Sequence, residues 1–358
     1  MTAHRFDVAL LVNASHSFFD GSGVLCGLSE LARRGVIRLR LRGGGIFDAR
    51  HRALVQLDVT ETTCHDVRRV VIDLADRADF FSATALAHAN VYFKRSVSRE
   101  GLAQLAREDQ QRVKPYGLNL ACLGITAAHW HIRAAAMVFA QRAKQRSSSL
   151  PAALAEFIAN CRLVTGLPAP AAFGPVVRHD PEPSVVLQSR IWPPQVSADN
   201  LERVNNERIA IVQTLQSALG RRFVGGILAD AFSKSVCPPG VLVHTNKRRS
   251  AYLRLVTSAA VGVYVRGLHN AIAIKMAEYL AAGLCIVSEP IAHELPVPLI
   301  AGVNYLPFRS LEECASQCKR LLAQPAEAAR MRAANLDYYG KWVEPKAHVD
   351  DLLSRAFD

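Results

Sequence analysis

No stretch of the 358-residue chain holds 18 uninterrupted apolar residues, the length a helix needs to span a bilayer. The apolar run near the start, within MTAHRFDVALLVNASHSFF, is shorter still and lacks a signal-peptide cleavage pattern. Acidic residues are few beside basic ones, 31 against 43, which leaves a formal net charge of +12. Such a surface favours anionic partners: nucleotides, nucleic acid, acidic lipid or acidic glycans. The basic excess is spread along the chain without a long basic tail or a nucleic-acid-binding motif, so nucleic acid is not expected as a partner. None of the eight cysteines forms a C-x-x-C, and Cys314 and Cys318 have no histidine cluster beside them. Reduced thiols of a cytoplasmic protein are therefore expected, without a structural zinc. There is no D-x-D metal-binding pattern, no G-x-G-x-x-G dinucleotide fingerprint, no internal repeat and no low-complexity tract. Half the residues are hydrophobic and 21% are charged, which excludes wholesale disorder.

What is present alternates between strand and helix patterns. Residues 6–13 (FDVALLVN) read as a buried strand, and 14–23 as a loop carrying His16, Asp20, Gly21, Ser22 and Gly23. A helix follows over 24–34 with apolar residues at helical spacing, then a strand over 36–41, giving a βαβ opening. Residues 67–74 read as a strand that delivers Asp73, Asp76 and Asp79 to a loop. A short strand at 91–93 places Lys94 and Arg95 at its carboxyl end, where ligands of open α/β sheets bind. The alternative for Lys94 and Arg95 is a solvated basic strand end, and for 14–23 an ordinary βα turn. A basic helix with Trp130 as an aromatic anchor spans 129–146. It is read either as a peripheral contact with an acidic membrane or as an ordinary amphipathic helix packed on its own domain. Proline-rich segments at 167–171 and 179–183 mark the best domain boundary.

Past that boundary, SVVLQS at 184–189 is a strand with Arg190 just beyond it, and strands and helices alternate to 261–265. His244 stands at the end of one of these strands. The chain then enters its most informative stretch, 267–290, GLHNAIAIKMAEYLAAGLCIVSEP. A loop with Gly267, His269 and Asn270 precedes a helical run whose charges are Lys275 and Glu278, and Gly283 closes that run as a left-handed C-cap. Loop, helix N-terminus and buried strand are the arrangement by which α/β domains present N–H groups to anions. A solvated i,i+3 ion pair between Lys275 and Glu278 is the plain alternative.

Glu278-Tyr-Leu-Ala-Ala-Gly283 resembles the C-terminal-domain signature of family-4-like glycosyltransferases of the GT-B fold. The G-L-H-N…K-x-x-E-Y-L-A-A-G form, together with Tyr92-Phe-Lys-Arg-Ser96 in the first half, resembles a bacterial subgroup of surface-polysaccharide synthesis. The resemblance implies an α/β fold of two Rossmann-like, doubly wound domains facing a cleft, with a C-terminal helix crossing back. The expected division is an acceptor-side domain at 1–178, a nucleotide-sugar domain at 179–340 and the returning helix at 341–358.

For the donor side it implies that Arg190, just past VVLQS, reaches the diphosphate and Glu278 the ribose; the lysine that usually follows that arginine a few residues later is missing here, and Lys275 is expected to supply the second positive charge. His244, Gly267, His269 and Asn270 would complete the donor site. Many family members carry a second glutamate eight positions before the first; here that place is Asn270, so the two-glutamate motif is incomplete. Catalytic roles are expected of His16, Asp20 and Asn270, and acceptor contacts of Ser22, Lys94 and Arg95. The implied reaction moves a sugar from a nucleotide-sugar to a glycan or lipid-linked acceptor, with retention and without a metal or other cofactor. The expected location is the cytoplasm, with the inner membrane face as the place of work. A sugar-nucleotide epimerase or a phosphorylase fits less well, because neither the epimerase carboxylate pair nor the phosphorylase lysine motif is evident. The reading from another class is a non-catalytic nucleotide- or glycan-binding module, favoured by Asn270.

Overall fold

The protein is described here by a computed structural model covering residues 4–48, 51, 53–144, 149–175, 184–196, 198–243 and 249–358. The chain divides into two compact units. Unit 1 takes 1–171, 294–297 and 341–358, and unit 2 takes 172–293 and 298–340. The boundary expected at 178/179 falls within 176–183, outside the described residues.

In chain order unit 1 contains β1 (Phe6–Val12), α1 (Ser22–Arg33), β2 (Ile37–Gly43), β3 (Leu54–Glu61), β4 (Val67–Asp73), α2 (Ala83–His88), β5 (Val91–Lys94), α3 (Arg99–Leu102), α4 (Arg107–Arg112), β6 (Val113–Pro115), α5 (Ile125–Lys144) and α6 (Leu150–Gly166). Unit 2 contains β7 (Val185–Ser189), α7 (Leu201–Leu219), β8 (Phe223–Leu228), α8 (Ala231–Val236), β9 (Leu242–Val243), α9 (Arg249–Ser258), β10 (Val261–Tyr264), α10 (Lys275–Ala281), β11 (Cys285–Ser288), β12 (Leu306–Pro307), α11 (Leu311–Ala323) and α12 (Pro325–Trp342). The last helix, α13 (Pro345–Arg355), belongs to unit 1.

The sheet of unit 2 has the order β12-β11-β10-β7-β8-β9, and every pairing in it is parallel. Counted within the unit, this is the order of a dinucleotide-binding Rossmann sheet, with its switch point between β7 and β10. Its central strands β7, β10 and β11 are buried along their whole length and rich in Val, Ile and Leu, as parallel strands covered by helices require. Gly283 at φ +59 ends α10. Leu284 N–H bonds Tyr279 O and Gly283 N–H bonds Leu280 O, the paired bonds of a Schellman cap. The helix is shorter than its apolar run, because His269 and Asn270 turn to φ +57 and +58 and Ala271 is extended.

The sheet of unit 1 has the order β2-β1-β3-β4-β5-β6. The β1–α1–β2 opening is parallel, as expected. β3 is an addition that the sequence reading passed over. It runs antiparallel between β1 and β4, so the sheet is mixed. Its segment LVQLDVTE alternates apolar and polar residues, and a tight turn with His65 at φ +59 returns the chain into β4. Despite β3, the strands β1, β2, β4, β5 and β6 all point one way, so their carboxyl ends share one edge. No helix among the described residues is long and apolar enough to cross a membrane.

α13 docks on α1, and Phe357 stacks on Phe6 of β1 at 5.4 Å. The docking depends on Gly27. A Cβ there would stand 2.1 Å from Pro345 O and 2.5 Å from Val349 Cγ2. Gly27→Val should push α13 off unit 1 and cost about 1–3 kcal/mol, the usual penalty of overpacking. A lowered melting temperature together with faster proteolysis between α12 and α13 is the expected result. Unchanged melting and protection would show that the contact is plastic.

Candidate functional site

The carboxyl ends of β7 and β10 flank the switch point of unit 2. Arg208, on α7, ties them together. It is 4% exposed, and its guanidinium donates to Arg190 O at 2.6 Å and to Arg266 O at 2.7 Å. The same guanidinium lies 4.3 Å from the centre of the Trp192 ring. Burial lowers its pKa to about 10, far above neutrality, so it stays charged. The sequence reading missed Arg208. The available signal was a cation at a core position of an amphipathic helix, among Val204, Ile211, Val212 and Leu215.

Three further cations gather around that tie. Arg190 is exposed at the end of β7, and its side chain makes no hydrogen bond or ion pair among the described residues. Lys275, the first residue of α10, is half-buried and likewise without a hydrogen-bond or ion-pair partner among the described residues. Its ammonium is pushed down to about 7, by burial first and then by the charges of Arg208, Arg249 and Arg190, with Glu278 pulling the other way. Ser189 Oγ, at the last position of β7, is buried and has no hydrogen-bond partner among the described residues. A half-buried ammonium among three guanidiniums repels its neighbours until an anion arrives.

Glu278 sits on α10 as expected and is 0% exposed. It does not pair with Lys275 in the i,i+3 manner. Arg249 of α9 holds one carboxylate oxygen, and Tyr252 OH donates to the other at 2.8 Å. Neither partner was picked out from sequence, although they stand i,i+3 on the helix before β10.

Asn270, which stands where the family has its second glutamate, is exposed and turned toward α7. Its Oδ1 accepts from Asn200 Nδ2 and Arg203 Nη2, both at 3.3 Å. His269 N–H donates to Asn200 Oδ1 at 2.9 Å. Two consecutive non-glycine residues at positive φ are costly unless such bonds hold them. Gly267 N–H closes the same loop onto Ala271 O at 2.9 Å. His244 lies outside the described residues. A groove of about 520 Å³ nearby, lined by Ile191, Pro194, Asp199, Glu202 and Phe232 among others, has no cation among its described lining residues and suits no phosphate.

In unit 1 the structure gives the expected residues unequal exposure. Lys94 is 0% exposed, and its ammonium donates to Asp73 at 2.8 Å. Tyr92 OH, at 2.7 Å, and Ala75 N–H, at 2.9 Å, donate to the same carboxylate, and His51 Nε2 lies 2.7 Å from it. Burial alone would raise the Asp73 pKa, but Lys94 and His51 more than offset it and hold the carboxyl below its usual value. Lys94 therefore braces the ends of β4 and β5 and is not presented to a ligand. Ser22 is similarly engaged, with its Oγ donating to Phe19 O at 2.7 Å.

Arg95 is 8% exposed and pairs with Asp76 at 2.9 Å. Asp20 lies within its field: burial raises the Asp20 pKa, while Arg95 and the Ser17 hydroxyl restrain the rise. His16 is separate from Asp20. It packs edge-on against Phe18, which in turn meets His131. Burial first, then His131, lowers the His16 pKa to about 4, so its imidazole is neutral at pH 7. The charge of Arg95 thus acts on Asp20, and that of Arg190 on Lys275. The structure places no hydrogen bond between His16 and Asp20.

Residues 209–345 match the family described as glycosyl transferase-like. The match runs from within α7 to the start of α13 and includes Arg249, Lys275 and Glu278. It bears out the family expectation drawn from the Glu278–Gly283 signature for that part of the chain: residues 209–345, most of unit 2, are glycosyl transferase-like. No curated protein sequence matches significantly. Among solved structures, a glycosyltransferase from Rickettsia africae is similar at 8% identity and TM-score 0.47, covering 99% of this chain and 98% of that one. The C-terminal domain of a glycosyl transferase group 1 family protein from Francisella tularensis is similar at 9% identity and TM-score 0.36, covering 48% and 97%. A UDP-GlcNAc 2-epimerase from Neisseria meningitidis bound to UDP-GlcNAc is similar at 12% identity and TM-score 0.39, covering 76% and 62%. These likenesses are too distant to assign chemistry to residues of this chain.

The Asp73 cluster yields a stability test. Lys94→Met leaves a buried carboxylate without its ion partner and should cost about 3–5 kcal/mol in denaturant unfolding at pH 7. In the wild type the contribution of a depressed Asp73 is fully present above the ordinary value of 3.8 and is lost as pH falls through the lower folded value. A cost below about 1 kcal/mol would show that Asp73 is not ionised in the folded chain.

Proposed function

We propose that the enzyme uses a nucleotide-sugar donor whose diphosphate binds at the β7/β10 switch point of unit 2. The observation that carries this reading is the set of cations there, with Arg190 and Lys275 lacking anionic partners among the described residues. A departing nucleoside diphosphate gathers negative charge in the transition state. Fixed cations at that place stabilise it more than they stabilise the ground state. Arg190 supplies a planar fork for phosphate oxygens and Lys275 a point charge, while Arg208 fixes the strand ends that carry the site. The loop with Gly267, His269 and Asn270 is assigned to the sugar end. The acceptor, a glycan or a lipid-linked sugar, is assigned to the carboxyl edge of the unit 1 sheet, where the Arg95 charge acts on Asp20. Asp20, with its raised pKa, is the better general-base candidate there; neutral His16 is the second. Retention and work in surface-polysaccharide synthesis rest on the family resemblance.

Asn270 favours one other reading. With its amide held by Asn200 and Arg203 and no carboxylate at that place, a module that binds nucleotide without transferring sugar is the alternative. Binding of nucleotide-sugar without transfer or hydrolysis across a broad acceptor panel would select it.

Calorimetric titration with UDP, GDP, ADP and CDP tests the donor site. One nucleotide should bind selectively, and Arg190→Ala or Lys275→Met should each weaken it by about 1.5–3 kcal/mol, the range for hydrogen bonds to charged groups. Because an anion raises the Lys275 pKa from about 7, binding takes up a proton above that pH. Affinity should then fall as pH rises past 7, by at most about tenfold per unit, and Lys275→Met should flatten the profile. Absence of nucleotide binding would remove the assignment.

Peripheral membrane contact, expected of the basic helix at 129–146, is proposed for α6, which packs against that helix. Leu150, Leu154 and Ile158 recur at helical spacing there and are 60%, 46% and 42% exposed. Co-sedimentation with phosphatidylglycerol vesicles should fall on Leu154→Asp. Equal sedimentation of variant and wild type would contradict the contact.

A further inference from the structure

The paired side chains of Arg249 and Glu278 differ in exposure: the guanidinium is 29% exposed and the carboxylate 0%. Arg249 therefore lies between Glu278 and solvent. Both carboxylate oxygens are already engaged, one by Arg249 and one by Tyr252 OH at 2.8 Å. A ribose approaching from solvent meets a guanidinium before it meets a carboxylate.

The guanidinium is held by more than the ion pair. Its Cζ lies 5.2 Å from the centre of the Tyr252 ring and 5.8 Å from that of Phe173. Aromatic faces at such distances attract a cation and fix its plane. Arg249 also belongs electrostatically to the anion site, because its charge acts on the Lys275 ammonium alongside those of Arg208 and Arg190. A guanidinium whose one edge is occupied by a carboxylate still has N–H groups on its other edge, and those are the part open to a ligand.

We propose that Arg249 is a donor-binding residue that contacts the diphosphate of the nucleotide-sugar, and that Glu278 and Tyr252 are positioning residues that aim it. This rests on the donor site proposed above and changes its anatomy. The phosphates are gripped by Arg190, Lys275 and Arg249, and Glu278 remains beneath Arg249, away from the ribose. Glu278 keeps Arg249 from turning away and sets the plane in which its free edge faces the phosphates. Tyr252 satisfies the second carboxylate oxygen, so the buried acid needs no hydroxyl from a ligand.

The test compares inorganic pyrophosphate, which has no ribose, with whichever of UDP, GDP, ADP and CDP binds wild type most tightly. Arg249→Gln alone strands a buried carboxylate and can unfold the domain. The decisive variant is therefore the double substitution Arg249→Gln/Glu278→Gln, which removes one charge of each sign and leaves the net charge unchanged. Circular dichroism and a melting curve establish that it is folded. Arg249→Lys serves as a second variant that keeps the charge and loses the planar fork.

If Arg249 grips the phosphates, the double variant binds pyrophosphate and the nucleoside diphosphate more weakly by the same factor, at least about tenfold. Arg249→Lys then recovers part of the loss for both. If the nucleoside diphosphate is weakened and pyrophosphate is not, Glu278 holds the ribose and the proposal is overturned. If neither is weakened, Arg249 touches no ligand and the proposal is again overturned, with the donor site left standing. Wild type that binds the nucleoside diphosphate but not pyrophosphate also overturns it. Wild type that binds neither overturns the donor site and this proposal together.

Discussion

The guanidinium of Arg208 is the constraint on which the second unit depends. It is buried, stacked on Trp192, and bonded to the carbonyls of Arg190 and Arg266. Those carbonyls belong to the segments that leave β7 and β10, the strands on either side of the switch point. Parallel strands diverge into separate loops at this point, and no ladder bond holds the loops together. A side chain from α7 supplies the missing link. Its charge does a second thing: with those of Arg190 and Arg249 it lowers the pKa of the Lys275 ammonium, against the pull of Glu278. Scaffold and site are therefore one arrangement, since the cation that fixes the strand ends also conditions the ammonium expected to meet the donor.

The buried charges of the first unit are organised differently. Asp73 is surrounded by Lys94, Tyr92, His51 and a backbone N–H, so its charge is compensated within the fold. Nothing there calls for a ligand. Arg95, next to Lys94 in the chain, pairs with Asp76 and acts on the buried Asp20, whose carboxyl burial raises. The two units thus separate internal charge pairing from charge left open, and the open charge marks where chemistry is assigned.

Much of this was legible in the sequence. The apolar runs at β1, β7, β10 and β11, the glycine at 283 and the Glu278–Gly283 signature indicated an α/β fold and a glycosyltransferase family. Arg190 and Lys275 stand out in the sequence as donor-side cations, and in the structure the charge of Arg190 acts on Lys275. What was not legible were partners supplied from distant segments. Arg208 ties 190 to 266, and Arg249 covers Glu278 across 29 positions of chain; no spacing rule links such residues. Lys94 looked exposed because it ends a strand, yet Asp73 on the neighbouring strand lies opposite it in register. β3 was passed over because its alternation of apolar and polar residues is weaker than the continuous runs around it. Asn270 stands out in the sequence as a departure from the two-glutamate pattern, but its hydrogen bonds to α7 follow from the left-handed turn at 269 and 270, which the residue types do not announce.

The most direct test of the account is the titration of the Lys275 side chain by heteronuclear NMR, with and without pyrophosphate or a nucleoside diphosphate. The free protein should show an ammonium that titrates near 7. Saturating anion should move that value well upward, toward the ordinary lysine range, because a phosphate beside the ammonium offsets burial and the neighbouring guanidiniums. A Lys275 that titrates identically with and without the anion, or that already titrates in the ordinary range when free, would contradict an anion site at the β7/β10 switch point.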